Sequence, residues 1–172
     1  YILPRFELPS ESEWEWAARG GRASAKYPWG NPYVANAKGC LMANFKPHRG
    51  NYDADGYAYT SPANAFDPND FGLYQMAGNV NEWVMDLYRP LSFQDFNDLN
   101  PVRRNDKLDK ASRYDSKNNN SLIDNKSRVY KGGSWADISY WLAPGSRRFL
   151  DQDSATATIG FRCAMISAGL NK

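Results

Sequence analysis

The side chains able to do covalent or redox chemistry are few. Cys40 and Cys163 are the two thiols. Two cysteines so far apart make neither a disulfide framework nor a four-ligand zinc site, which leaves one bridge in an oxidising compartment or two buried free thiols. His48 is the single imidazole, so a Ser-His-Asp triad or a two-histidine metal site has little to draw on. It lies in the polar, turn-like stretch Lys46-Pro47-His48-Arg49-Gly50 and reads as solvated. Carboxylates are plentiful, but no pair is spaced as an acid and a base across a cleft. Asp53-Ala54-Asp55-Gly56 has the form of a solvated Asp-Gly turn. Asn79 and Glu82 stand at the cap-plus-three spacing that starts a short helix, and Gln75 is suited to bonding nearby backbone. Arg19 and Arg162 each offer a planar guanidinium that can satisfy several loop carbonyls or a buried carboxylate.

The elements that must hold these residues are short. Leu8-Pro9-Ser10-Glu11-Ser12-Glu13-Trp14 predicts a helix start, with Ser10 as cap and Glu13 closing a capping box. The helix buries Trp14, Ala17 and Ala18 and stops at Gly20-Gly21. From Tyr27 to Asp70 the chain is dense in Gly, Pro, Asn and Asp and holds no lasting period, so it reads as ordered coil. Between Asp86 and Ser127 the sequence turns polar and reads as an insertion outside the core. Strands are predicted at Arg128–Lys131, running into the turn Gly132-Gly133, and over Thr158–Met165. Trp14, Trp29, Trp83 and Trp135 fall inside the patterned segments and read as core.

The 172 residues suit one domain, with a hydrophobic fraction of 42%, an aromatic share of 15% and a mean hydropathy of -0.70. The apolar content is therefore concentrated in large rings. Twenty-one basic against nineteen acidic residues leave a net charge of +2 without a basic block, which argues against a nucleic-acid partner. No stretch approaches a membrane span, and the opening Tyr1-Ile2-Leu3-Pro4-Arg5 lacks the form of a signal peptide and reads as internal to a longer protein.

Four segments, in this order, resemble the formylglycine-generating-enzyme or sulfatase-modifying-factor domain family. They are Leu8 to Gly21, Tyr27-Pro28-Trp29-Gly30, Gly72 to Trp83, and Lys131-Gly132-Gly133-Ser134-Trp135 with Gly160-Phe161-Arg162. The resemblance implies an α+β fold, a coil-rich variant of the C-type-lectin architecture with little regular secondary structure. It implies one domain over 1–172, lacking the family's N-terminal part and carrying the polar insertion at about 86–127. The oxygen-dependent members carry two cysteines just after the Gly-Gly-Ser-aromatic turn, because Cu(I) needs paired thiolates. Here those positions are Asp137 and Leu142, so the expectation is no copper and no enzyme. The family's sulfoxide synthases use an iron site on a preceding segment that these residues do not include. The resemblance also implies structural calcium, at Asn44, the Phe45 carbonyl, Asp55 and the Tyr57 carbonyl. A second calcium set falls on Gln75, the Gly78 and Val80 carbonyls and Glu82, where Gln75 departs from the usual shorter Asn or Asp.

Within the family the likeness is greatest to the gliding-motility and type IX secretion lipoproteins of the Bacteroidetes, the J type first and the K type next. It is carried by Leu41-Met42-Ala43-Asn44-Phe45-Lys46, Val84 to Pro90, Arg128 to Trp135, Tyr140-Trp141-Leu142, Arg147-Arg148-Phe149 and Ile159 to Met165. The implied role is a non-catalytic scaffold on the periplasmic face of the outer membrane, with protein subunits of the secretion and gliding complex as partners. Membrane contact is expected only through a lipid anchor outside these residues. The competing expectation is a lectin-like ligand-binding module that presents the surface near Asp137 to Phe149; an active oxidase stands behind both.

Overall fold

The structure is a computed structural model and describes residues 4–47, 50–91, 98–101 and 123–166, to which all structural statements here refer. The elements are β1 (Arg5–Glu7), α1 (Glu11–Arg19), β2 (Asn81–Leu87), β3 (Ser127–Lys131), a single 3-10 turn (Ser139–Leu142), β4 (Arg148–Asp151), β5 (Ile159–Phe161) and β6 (Ala164–Ile166). Between α1 and β2 the described residues are turn and coil, apart from isolated bridge residues such as the pair Ala35 and Leu41. The architecture is α+β and coil-rich, as the sequence predicts.

The capping box forms as read. The Ser10 side chain accepts from the Glu13 N–H at 3.2 Å, and the Glu13 carboxylate accepts from the Ser10 N–H at 2.8 Å. Gly20 then ends the helix in the left-handed conformation. Four strands make one sheet in the order β4-β3-β2-β5, antiparallel except for the parallel β2-β5 pair, while β1 and β6 form a separate antiparallel ribbon. One core cluster packs α1 on this sheet through Trp14, Ala18, Met76, Val84 and Val129. The other lies under the coil and consists of Tyr27, Ala43, Phe45, Ala77 and Leu142.

Several expectations are corrected. No helix starts at Asn79: its φ is +66°, whereas a cap is extended, and its side chain instead bonds both backbone groups of Ser61. The chain enters β2 two residues later. The predicted strand over Thr158–Met165 is broken at Arg162 and Cys163, because Arg162 turns inward to Glu82 and β5 and β6 join different sheets. At the two edges of the segment read as the insertion, Asp86 and Leu87 belong to β2 and Ser127 opens β3. Arg89 is buried and clamps the two ends together, donating to the Asp124 carbonyl at 3.1 Å and to Asn125. Most of the insertion, and His48, lie outside the described residues. Cys40 and Cys163 are exposed and unbridged, neither buried nor paired. Of the four tryptophans read as core, Trp14 is fully buried and Trp29, Trp83 and Trp135 are half-buried.

Candidate functional site

Asp137 follows the Gly132-Gly133 turn and begins the run into the 3-10 turn, which puts its carboxylate at the end of the sheet, facing β2 and β4. There it is fully bonded. Oδ2 accepts from the Ser134 N–H at 2.9 Å and the Ser134 hydroxyl at 2.6 Å, and from the Asn81 amide at 3.0 Å. Arg148 closes the centre with two parallel bonds, Nη1 to Oδ1 at 2.7 Å and Nη2 to Oδ2 at 2.6 Å, and Nη2 also donates to Asn81 Oδ1 at 2.7 Å. The guanidinium lies against two rings, 4.9 Å from the Tyr130 centroid and 4.5 Å from that of Trp141. Burial pushes the Asp137 carboxyl up, but the bonds from Arg148, Ser134 and Asn81 together with the Arg148 charge outweigh it, and the group sits below the usual carboxylate range. The group is held as an anion whose lone pairs are spent on donors. Leu142 is fully buried in the second core cluster. An anion matched to an arginine and an isobutyl group in a core supply none of the soft ligands that Cu(I) requires.

Two further charged networks tie α1 to the sheets. Glu82 accepts from Trp14 Nε1 at 2.7 Å and from two Arg162 nitrogens at 2.6 Å, while Arg162 also donates to the Tyr74 and Gln75 carbonyls. Lys131 is fully buried, with Nζ 3.3 Å from Glu11 and 3.1 Å from Glu15. Arg147 pairs with the same Glu11, and Arg19 pairs with Glu15 and donates to the Ala25 carbonyl. Arg19 and Arg162 thus both hold carbonyls and a carboxylate together, the structural role read for them. The sequence reading missed Arg148, Asn81, Lys131 and Arg147. Arg147 lies just before β4 and meets Glu11, while Arg148 opens β4 and meets Asp137.

The residues implied for the first calcium set come together. Asn44 is completely buried, its amide nitrogen donates to the Tyr59 carbonyl at 2.7 Å, and its Oδ1 has no partner. The Asp55 carboxylate accepts from the Phe45 N–H at 2.8 Å and the Tyr57 N–H at 3.1 Å, so it lies beside both residues whose carbonyls complete the set. Burial raises the Asp55 pKa despite those bonds. The Asp-Gly turn also exists, with Gly56 N–H donating to the Asp53 carbonyl at 2.8 Å, but Asp55 points inward from it. A buried amide oxygen without a donor and a carboxylate short of charge compensation are what a hard cation relieves, so the donors fit calcium. The site has one carboxylate, and no cluster of three acidic, histidine or cysteine side chains exists among the described residues. The second set differs. Gln75 Oε1 is likewise buried and unpartnered, but Glu82, its one carboxylate, is already matched by Arg162.

Comparisons with known proteins place this coil-rich α+β domain in the formylglycine-generating-enzyme type. The family model described as "Sulfatase-modifying factor enzyme 1-like domain" matches residues 2–166, and the chain belongs to that family. It is 35% identical over 163 residues to "Inactive C-alpha-formylglycine-generating enzyme 2" of Bos taurus, covering 91% of this chain and 43% of the relative. It is 37% identical over 163 residues to "Formylglycine-generating enzyme" of Thermomonospora curvata, covering 91% of this chain and 48% of the relative. Among solved structures, Treponema denticola variable protein 1 aligns with a TM-score of 0.65 at 28% identity, covering 92% of this chain and 46% of that one. PvdO from Pseudomonas aeruginosa aligns with a TM-score of 0.65 at 26% identity, covering 94% of this chain and 53% of that one. The chain thus spans less than half the length of those two curated relatives. Relatives named as enzymes and as inactive stand at similar identity, so membership alone does not decide activity.

Proposed function

We propose that this domain is a non-catalytic interaction module serving the gliding-motility and type IX secretion apparatus from the periplasmic face of the outer membrane, held there by a lipid anchor and bound to protein subunits of that complex. The observation that carries the non-catalytic part is the centre itself, with Asp137 committed to Arg148 and Leu142 sealed in the core. Support for the apparatus comes from the segments shared with the J-type lipoproteins, Leu41 to Lys46 and Arg147-Arg148-Phe149 among them. Two assays test it. Copper-supplied protein incubated with oxygen and a cysteine peptide should leave the peptide mass unchanged, and the tagged parent protein, gently solubilised, should co-purify secretion and motility subunits over an unrelated lipoprotein control. Peptide oxidation, or a pull-down without those subunits, sinks the corresponding half.

A lectin-like module is the second reading, favoured by a depression of about 880 Å³ on the expected surface, walled by Lys26, Tyr88, Tyr140, Trp141 and Arg147. Capture of a small ligand, abolished by Tyr140→Ala, would favour it over the scaffold.

Calcium is the proposed structural ion, held by Asn44 Oδ1, Asp55 and the Phe45 and Tyr57 carbonyls, where it ties two coil segments together. A ligand present at a hundredfold excess over its Kd stabilises by about 2.7 kcal/mol, so Tm should rise by roughly 5–11 °C in calcium. Asp55→Asn should abolish the rise. Since the ion needs the Asp55 anion and burial raises that group's pKa, the response should weaken as pH falls through the raised value. An equal response in Asp55→Asn places the ion elsewhere.

A further inference from the structure

The copper implied by the family does not fit positions 137 and 142, and the geometry says what stands as the cation at this centre. Arg148 presents its guanidinium edge to both oxygens of Asp137 at 2.6 to 2.7 Å and shares Nη2 with Asn81 Oδ1. The Tyr130 and Trp141 rings lie against it, their centroids 4.9 and 4.5 Å from Cζ. The guanidinium is thus held by hydrogen bonds and by two rings, and the side chain is 21% exposed. Tyr130 and Arg148 are cross-strand partners on β3 and β4, so the sheet register itself aims the guanidinium at residue 137. We infer that Arg148 is the resident cation of this centre and excludes a metal from it, so that thiolates returned to positions 137 and 142 do not suffice to make a Cu(I) site.

The physical reason is competition for one anion. A side chain at 137 faces a fixed, planar positive charge with its donors already directed at it. A thiolate there pairs with the guanidinium, and a monovalent copper ion arriving beside it meets a like charge in a partly desolvated space. Leu142, on the far side of Trp141 in the chain, is fully buried and brings no second anion to offset that charge. The inference rests on the non-catalytic reading above but is separable from it.

The test measures Cu(I) affinity by competition with a coloured chelator in the wild-type protein, in Asp137→Cys/Leu142→Cys, and in that double variant with Arg148→Gln or Arg148→Lys added. The expected result is that the double variant and its Arg148→Lys form bind no better than wild type, while the Arg148→Gln form gains about a hundredfold in affinity. Tight binding by the double variant, or no gain in the Arg148→Gln form, overturns the inference. Tight binding by wild type overturns the non-catalytic reading instead. The single variant Asp137→Cys gives a second measurement that leaves the Leu142 core intact. Its thiol should alkylate at pH 6 about tenfold faster than in Asp137→Cys/Arg148→Gln, because the guanidinium holds it as thiolate. Equal rates also overturn the inference.

Discussion

Arg162→Leu is expected to lower folding stability by about 3–5 kcal/mol, the usual loss when one partner of a buried ion pair is removed. The Glu82 side chain is 8% exposed and would keep a single protein donor, the Trp14 indole, after losing two charged bonds at 2.6 Å. The Tyr74 and Gln75 carbonyls would lose a donor as well. At roughly 2–4 °C per kcal/mol for a chain of this size, Tm should fall by about 6–20 °C. The companion variant Arg162→Leu/Glu82→Gln separates charge from packing. Glutamine still accepts from Trp14 but leaves no buried anion, so the double variant should regain at least half of the loss. Should Arg162→Leu cost under about 1 kcal/mol, Glu82 is hydrated and the pair is not an anchor. The double variant failing to recover would instead assign the cost to the loop carbonyls.

Arg162 could be singled out in the sequence by its place in the motif Gly160-Phe161-Arg162, whereas its partners, Glu82 and the Tyr74 and Gln75 carbonyls, are 80 to 88 residues away. The helix was fully legible: cap, apolar spacing and glycine stop are all local, and α1 follows them residue by residue. Local signals failed where the partner is distant. The spacing of Asn79 and Glu82 matches a capping box, yet Glu82 is claimed by Arg162 and Trp14, 80 and 68 residues away. Asn79 is held left-handed by contacts to Ser61 and to the Asn44 carbonyl. The centre was half legible. Asp137 and Leu142 could be recognised as wrong for copper, but nothing near them in sequence says that Arg148, eleven residues on, matches the carboxylate. Strand register decides that, and β4 has only four residues from which to read it.

The same long-range packing makes Gly78 the position least able to accept a side chain. Its φ is +79°, and a Cβ there would stand 2.3 Å from the Asn44 carbonyl oxygen and 3.0 and 3.1 Å from the Asn44 carbonyl carbon and nitrogen. These are backbone atoms fixed from two directions: Gly78 N–H donates to the Gly132 carbonyl and Asn79 N–H to the Asn44 carbonyl, both at 2.8 Å. Neither strand of coil can retreat without breaking one of those bonds. Gly78→Ala is therefore expected to cost about 3–5 kcal/mol, backbone strain and overpacking together. It should also erase the calcium response, since Asn44 must move. Gly72→Ala is the matched control. Its φ is +76° but nothing lies within 4 Å of the added carbon, so it carries the conformational cost alone, about 1–2 kcal/mol. Urea melts of the two variants side by side measure the difference. A gap of 2 kcal/mol or more locates the extra cost in the contact between the Asn44 and Gly78 backbones. Equal losses would mean that the two segments lie further apart in solution, and the calcium site built on Asn44 would fall with that contact.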